Sequence, residues 1–74
     1  MRISANKAVT ALINPKNAEV ITYVENNKRY EVRIYFPSGA NEILYVCKMR
    51  KQVLKHMQEL AEKLSEAVIV YGKV

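Results

Sequence analysis

Short stretches of alternating apolar and polar residues fill the first two thirds of the chain, and turn-forming residues separate them. Three of these stretches cover residues 19–25, 30–36 and 42–48 and are rich in β-branched and aromatic side chains. Each has the length of an ordinary β-strand. The breaks at residues 26–28 and 37–39 contain the Asn, Pro and Gly residues that tight turns favour. Consecutive strands with such short connections predict an antiparallel meander.

The apolar pattern changes to a helical period at residue 49. The recurring apolar positions are Val53, Met57, Leu60 and Leu64. Their spacing puts these side chains on one helix face, so an amphipathic helix over residues 49–66 is predicted to pack on the sheet. Residues 67–71 are β-branched again and stop before Gly72, which predicts a final short strand.

Residues 4–13 fit two interpretations. One is a short helix with Ser4 as its N-cap. The other is a strand joined to the next by a hairpin through residues 14–17, with Asn17 at the left-handed exit of a type I turn. We favour the strand, because the turn suits a hairpin and an isolated helix of this length is marginally stable.

Each interpretation resembles a known nucleic-acid-binding architecture in its order of elements. With a first helix, the order α-β-β-β-α resembles double-stranded-RNA-binding domains, in which lysines at the start of the last helix contact phosphates. With a first strand, the order β-β-β-β-α is similar to Whirly-type single-strand-binding folds, whose sheets are built into oligomers. The Ala-rich lysine motif of the first family is absent from residues 48–55.

The predicted fold class is α+β. We expect an antiparallel β-meander of three or four strands, one long amphipathic helix on one face, and a short C-terminal strand. The length of 74 residues predicts a single domain over residues 1–74, with a small core of its own.

Both faces of the predicted sheet carry apolar side chains. The middle strand is expected to turn Tyr30, Val32, Ile34 and Phe36 toward the helix. The last strand of the meander is expected to divide Ile43, Tyr45 and Cys47 from Leu44 and Val46. Because one helix covers only one face, the apolar residues of the second face predict a homo-oligomer.

The composition excludes several kinds of chemistry. The chain has one Cys, one His and no Asp. A disulfide framework or a zinc site needs more Cys and His residues, and sites built on Asp for calcium or magnesium are excluded. We expect no cofactor and no metal. Without an apolar targeting or membrane-spanning run, and with a lone thiol at Cys47, the expected location is cytoplasmic.

Basic residues gather at the start of the predicted helix. They are Lys48, Arg50, Lys51 and Lys55, with no acid between them. Cations at a helix N-terminus oppose the helix dipole at a cost of about 0.3–1 kcal/mol each. Two explanations are open: a bound anion, which would use both the side chains and the free backbone N–H groups, or a solvated face that gives solubility at this small cost.

The formal net charge of +5 and the aromatic residues of the sheet favour a nucleic acid as this anion. Secondary contacts are predicted for Arg29, Arg33, Tyr23 and Tyr35. The function predicted from the sequence is therefore a small, basic, non-enzymatic nucleic-acid-binding protein. The alternative is a protein-interaction or inhibitor module that binds a partner through the second apolar sheet face.

Few residues are suited to catalysis. The only thiol, Cys47, and the only imidazole, His56, are not expected to meet, because one ends a strand and the other lies within the helix. A small ribonuclease that uses His56 with Lys55 or Arg50 on a phosphodiester is the enzymatic alternative.

Overall fold

The structure is a computed structural model that describes residues 7–73. Its elements are β1 (Lys7–Asn14), β2 (Glu19–Asn26), β3 (Arg29–Tyr35), β4 (Asn41–Cys47), α1 (Arg50–Lys63) and β5 (Val68–Lys73). The predicted α+β fold class, with a meander, one helix and a C-terminal strand, is confirmed. Part of the predicted first segment, residues 4–6, lies outside the described residues.

The strands form one antiparallel sheet in the order β4-β3-β2-β1-β5. The first segment is a strand, since Leu12 pairs with Ile21 on β2 and with Ile69 on β5. The favoured interpretation of this segment is therefore confirmed for residues 7–14, and the helical one is wrong. The chain leaves the edge at β4, crosses the sheet as α1 and returns as β5 at the other edge.

Helix α1 is shorter than the predicted span of 49–66. It begins at Arg50 because Met49 has extended backbone angles, φ −114° and ψ 135°. It ends at Lys63, after which Leu64 leaves the helical region and donates its N–H to the carbonyl of Leu60 at 2.9 Å. Residues 64–67 then form the turn that leads into β5.

The two hairpin turns use positive φ angles at residues other than glycine. Asn27 and Lys28 have φ of 52° and 63°, the pattern of a two-residue type I′ turn. In the β1–β2 turn the left-handed residue is Ala18, with φ 54°, and not Asn17 as predicted. The side chain of Asn14 accepts the N–H of Lys16 at 3.1 Å, so a side-chain turn opens the loop and moves its exit one residue on.

The core lies between α1 and one face of the sheet. Its buried residues are Val9, Leu12, Val32, Cys47, Val53 and Met57. Met57 and Val53 reach the sheet from successive turns of α1, as the helical period predicts. The thiol of Cys47 is buried and donates to the carbonyl of Met49 at 3.4 Å, so this cysteine packs the junction between β4 and the helix.

The sheet face that α1 leaves uncovered is called here the open face. A β-bulge shifts the register between β3 and β4, so that Val32 pairs with Tyr45 while Arg33 pairs with Ile43. Ile43 therefore shares the open face with Arg33. The predicted grouping of Ile43 with Tyr45 and Cys47 is wrong because strict alternation holds only without a bulge.

A second bulge explains the glycine near the end of β5. The register between β1 and β5 shifts at Thr10, whose side chain leans toward Gly72. A Cβ added to Gly72 would lie 2.6 Å from the Thr10 methyl group. The Thr10 hydroxyl is held in place because it donates to the carbonyl of Val70 at 3.1 Å. Turning the methyl group away would break that hydrogen bond.

We expect Gly72→Ala to lower the free energy of unfolding by about 1–3 kcal/mol through this overlap. Thr10→Ser removes the methyl group and keeps the hydroxyl, so it should restore most of the loss in the double variant. Urea unfolding of the wild type, both single variants and the double variant measures the coupling. If Gly72→Ala lowers the free energy of unfolding by the same amount in the wild type and in the Thr10→Ser variant, the steric explanation is contradicted.

Candidate nucleic-acid interface

One end of the sheet collects exposed cations from three connections. Tyr30 pairs with Cys47, so β3 begins where β4 ends. This register brings the β2–β3 turn and the β4–α1 connection to the same end, and α1 also starts there. We call this region the basic end. Its residues are Lys28, Arg29, Lys48, Arg50 and Lys51.

The same end of the sheet carries two more lysine positions. Lys7 at the start of β1 pairs with Lys73 at the end of β5. Glu25, which pairs with Tyr30, is the acidic residue of this part of the sheet. One end of the sheet is therefore predominantly basic.

The far end of the sheet carries most of the glutamates. Glu19 opens β2 there and Glu42 lies at the start of β4. The helix also ends there, because Leu64 lines the same depression as Asn14 and Glu19. Glu62 and Glu66 belong to this end of the helix and the turn that follows. The positive and negative groups are thus separated along the strand direction.

The side chains of the basic end are free to bind. All five are exposed. Among residues 8–72, whose side chains are described, the only ion pair joins Arg33 to Glu31, and no side chain of the basic end makes a hydrogen bond to another of these residues. The cluster is therefore not neutralised by the glutamates of its own chain.

The start of α1 adds backbone groups to these cations. No side chain caps the helix, and its first turn has no acidic residue. The N–H of Gln52 is used locally, since it donates to the carbonyl of Met49 at 3.1 Å. The preceding N–H groups of a helix have no partner within it and carry partial positive charge. An anion at this point would offset the repulsion among Lys48, Arg50 and Lys51.

Lys28 occupies a strained backbone position. It is the second central residue of the type I′ turn, where glycine is strongly preferred because φ is positive. The left-handed conformation costs a residue with a side chain about 1–2 kcal/mol. A cation thus stands at the tip of the hairpin where the backbone favours glycine.

An aromatic pair lies beside the fourth cation of the predicted cluster. The rings of Tyr45 and His56 stack with centroids 4.1 Å apart and planes 9° apart. Together with Lys55 they line a shallow depression at the edge of the sheet. Sequence reasoning missed this pair, because it requires knowing that β4 is an edge strand that the helix only partly covers.

The structure does not bring the predicted tyrosines to this surface. Tyr23 pairs with Val32 on the helix face and packs against the core. Tyr35 pairs with Val20 on the open face, at the far end of the sheet. Tyr23 and Tyr35 therefore lie on opposite faces of the sheet, because Tyr35 is three residues after Val32, the partner of Tyr23.

Arg33 is also separated from the basic end. It lies on the open face, where its guanidinium contacts a carboxylate oxygen of Glu31 at 2.8 and 2.9 Å and donates to the side chain of Asn41. Of the predicted residues, the structure brings together Arg29, Lys48, Arg50 and Lys51, with Lys55 one turn further along α1.

Of the partners expected for His56 in the ribonuclease alternative, Lys55 lines the same depression as the imidazole. Cys47 is buried at the end of β4, and the ring of His56 lies flat against Tyr45. Among the described residues, no group of three or more His, Cys, Asp or Glu side chains is placed to hold a metal ion. No helix in residues 7–73 has the length and apolar character needed to cross a membrane.

Comparison with known proteins adds no relative. No family model, curated protein or solved structure matches the chain. The assignment of a function therefore rests on the geometry of the sheet and helix.

We expect Lys28→Gly to raise the free energy of unfolding by about 1 kcal/mol, because glycine adopts the left-handed conformation without strain. Lys16→Gly is the matched control. It removes the same charge from the other hairpin loop at a residue whose φ is not positive, so it should not stabilise the protein. Chemical denaturation measures both, and equal effects would contradict the assignment of strain to Lys28.

Proposed function

We propose that the protein is a non-enzymatic nucleic-acid-binding protein whose basic end contacts the phosphate backbone. The observation that carries the proposal is the convergence of Lys28, Arg29, Lys48, Arg50 and Lys51 at one end of the sheet without an ion-pair partner among the described residues. Lysine and arginine side chains that neutralise phosphates supply most of sequence-independent affinity.

The extent of the basic end favours a polymeric anion over a single phosphate. Its cations come from a hairpin turn, an interstrand connection and the first turn of α1. Neighbouring strands lie about 4.8 Å apart, so a ligand that meets both β2 and the helix start must span several strands.

The surface continues along the helix toward the aromatic pair. Lys51 and Lys55 are four residues apart, so they lie on the same side of α1, about 6 Å from each other. Lys55 borders the stacked rings of Tyr45 and His56. An unpaired base that reaches this edge would meet an aromatic surface with Lys55 and Glu59 beside it, and stacking on that surface favours single-stranded segments.

Charge-reversal variants distinguish the contribution of the basic end to binding from the contribution of the net charge of the protein. The double variant Lys48→Glu/Lys51→Glu lowers the formal net charge of +5 by four, and so does the control Lys16→Glu/Lys63→Glu at the far end. We expect the first to weaken binding of a single-stranded oligonucleotide more than about tenfold and to lower the salt slope by about 2. The control should keep most of the affinity and the slope.

Fluorescence anisotropy over a series of salt concentrations measures both quantities, and circular dichroism verifies that each variant is folded. Equal losses in the two double variants would show that net charge alone is responsible. Absence of binding at low salt would favour the alternative of a protein-interaction module that uses the open face. An RNA probe should stay intact, and cleavage abolished by His56→Ala would instead indicate the ribonuclease.

A further inference from the structure

The open face carries exposed apolar residues at both of its edges. On β4 they are Ile43, Leu44 and Val46, and on β5 they are Val68 and Val70, with exposed fractions between 38% and 52%. The strands between these edges contribute further small and β-branched residues at paired positions, among them Ala11 opposite Thr22 and Ile13 opposite Val20. Apolar residues of this face therefore lie on β1, β2, β4 and β5, and β3 contributes Glu31 and Arg33 between them.

The charges in the middle of this face neutralise each other. Glu31 is only 5% exposed, and its carboxylate binds the guanidinium of Arg33 at 2.8 Å. By register, Val24 and Val46 flank Glu31 on the two neighbouring strands. The open face is therefore uncharged between the ends of its strands, although the chain as a whole carries +5.

We propose that a second copy of this chain covers the open face, with the two sheets packed face to face about a two-fold axis. A two-fold interface packs the same surface patch of both copies together, so a face with net charge would repel its counterpart. The internal pairing of Glu31 with Arg33 removes that repulsion. Because the open face carries no net charge in its middle, it does not attract a polyanion, in contrast to the basic end.

The face is large enough for a stable interface. Five strands about 4.8 Å apart and seven residues long cover roughly 24 by 23 Å, or about 550 Å² in projection. Two such faces together approach the area of about 1,000 Å² or more that specific interfaces bury. Aligned sheet packing of this kind also removes the exposed Val and Ile side chains at both edges from water.

The charge distribution favours one orientation of the two copies. An axis that runs across the strands, within the plane of the interface, places the basic ends at opposite ends of the dimer. An axis along the strands would place Arg29 and Lys48 of both copies at one end, where like charges repel. The dimer thus carries its two basic ends far apart, with both helices on its outer faces.

Sedimentation equilibrium of the full chain tests this interface, and Val70→Lys is compared with Tyr71→Lys. Both positions lie on edge strand β5 and add the same charge. Val70 pairs with Ala11 on the open face, whereas Tyr71 lies beside Ala61 of the helix on the other face. We expect a dimer for the wild type, at least tenfold weaker association for Val70→Lys, and little change for Tyr71→Lys.

A second variant at the opposite edge keeps the test independent of any effect on β5. Val46→Lys on β4, at a side chain that is 43% exposed, should also weaken the dimer at least tenfold. A monomeric wild type at several hundred micromolar overturns the proposal, as does a dimer that neither substitution weakens. The second result would indicate pairing through strand edges. The measurement contains no nucleic acid, so its outcome is independent of binding at the basic end.

Discussion

The packing of a single helix on a sheet of five strands is the constraint on which the rest of the structure depends. Met57 and Val53 are fully buried between the helix and the sheet, so the side chains of α1 form one side of the core. Residues 7–73 contain no second helix that could cover the other side. The open face and its internally paired Glu31 and Arg33 follow directly from this shortage of covering elements.

The same helix also fixes the position of the positive charge. Cys47 anchors the junction between β4 and α1, and the helix begins three residues later at Arg50. The antiparallel register then places the β2–β3 turn beside this junction. Both segments are locally destabilised. At the start of α1, cations oppose the helix dipole, and in the β2–β3 turn Lys28 has a left-handed backbone conformation. Features that local stability disfavours therefore coincide in one region.

The local sequence pattern predicts the secondary-structure elements but not their arrangement in the sheet. Alternation of apolar residues and turn composition located the strands, and the spacing of Val53 and Met57 located the helix face. The pairing of β5 with β1 and the two bulges depend on contacts distant in sequence, which no short window contains. Of the candidate site, the helix-start cations were visible in the sequence. Lys28 and the Tyr45 stack required the register and the identity of the edge strand.

The separation of positive and negative groups along the strands gives the molecule a dipole moment with a component along the strand direction. In the field of a negatively charged polymer, such a body experiences a torque as well as an attraction. It would approach with the end that carries Arg29 and Lys48 leading and the glutamates trailing. The molecule would then be oriented before it contacts the polymer. Raising the ionic strength would lower the association rate, because salt screens the torque as well as the attraction.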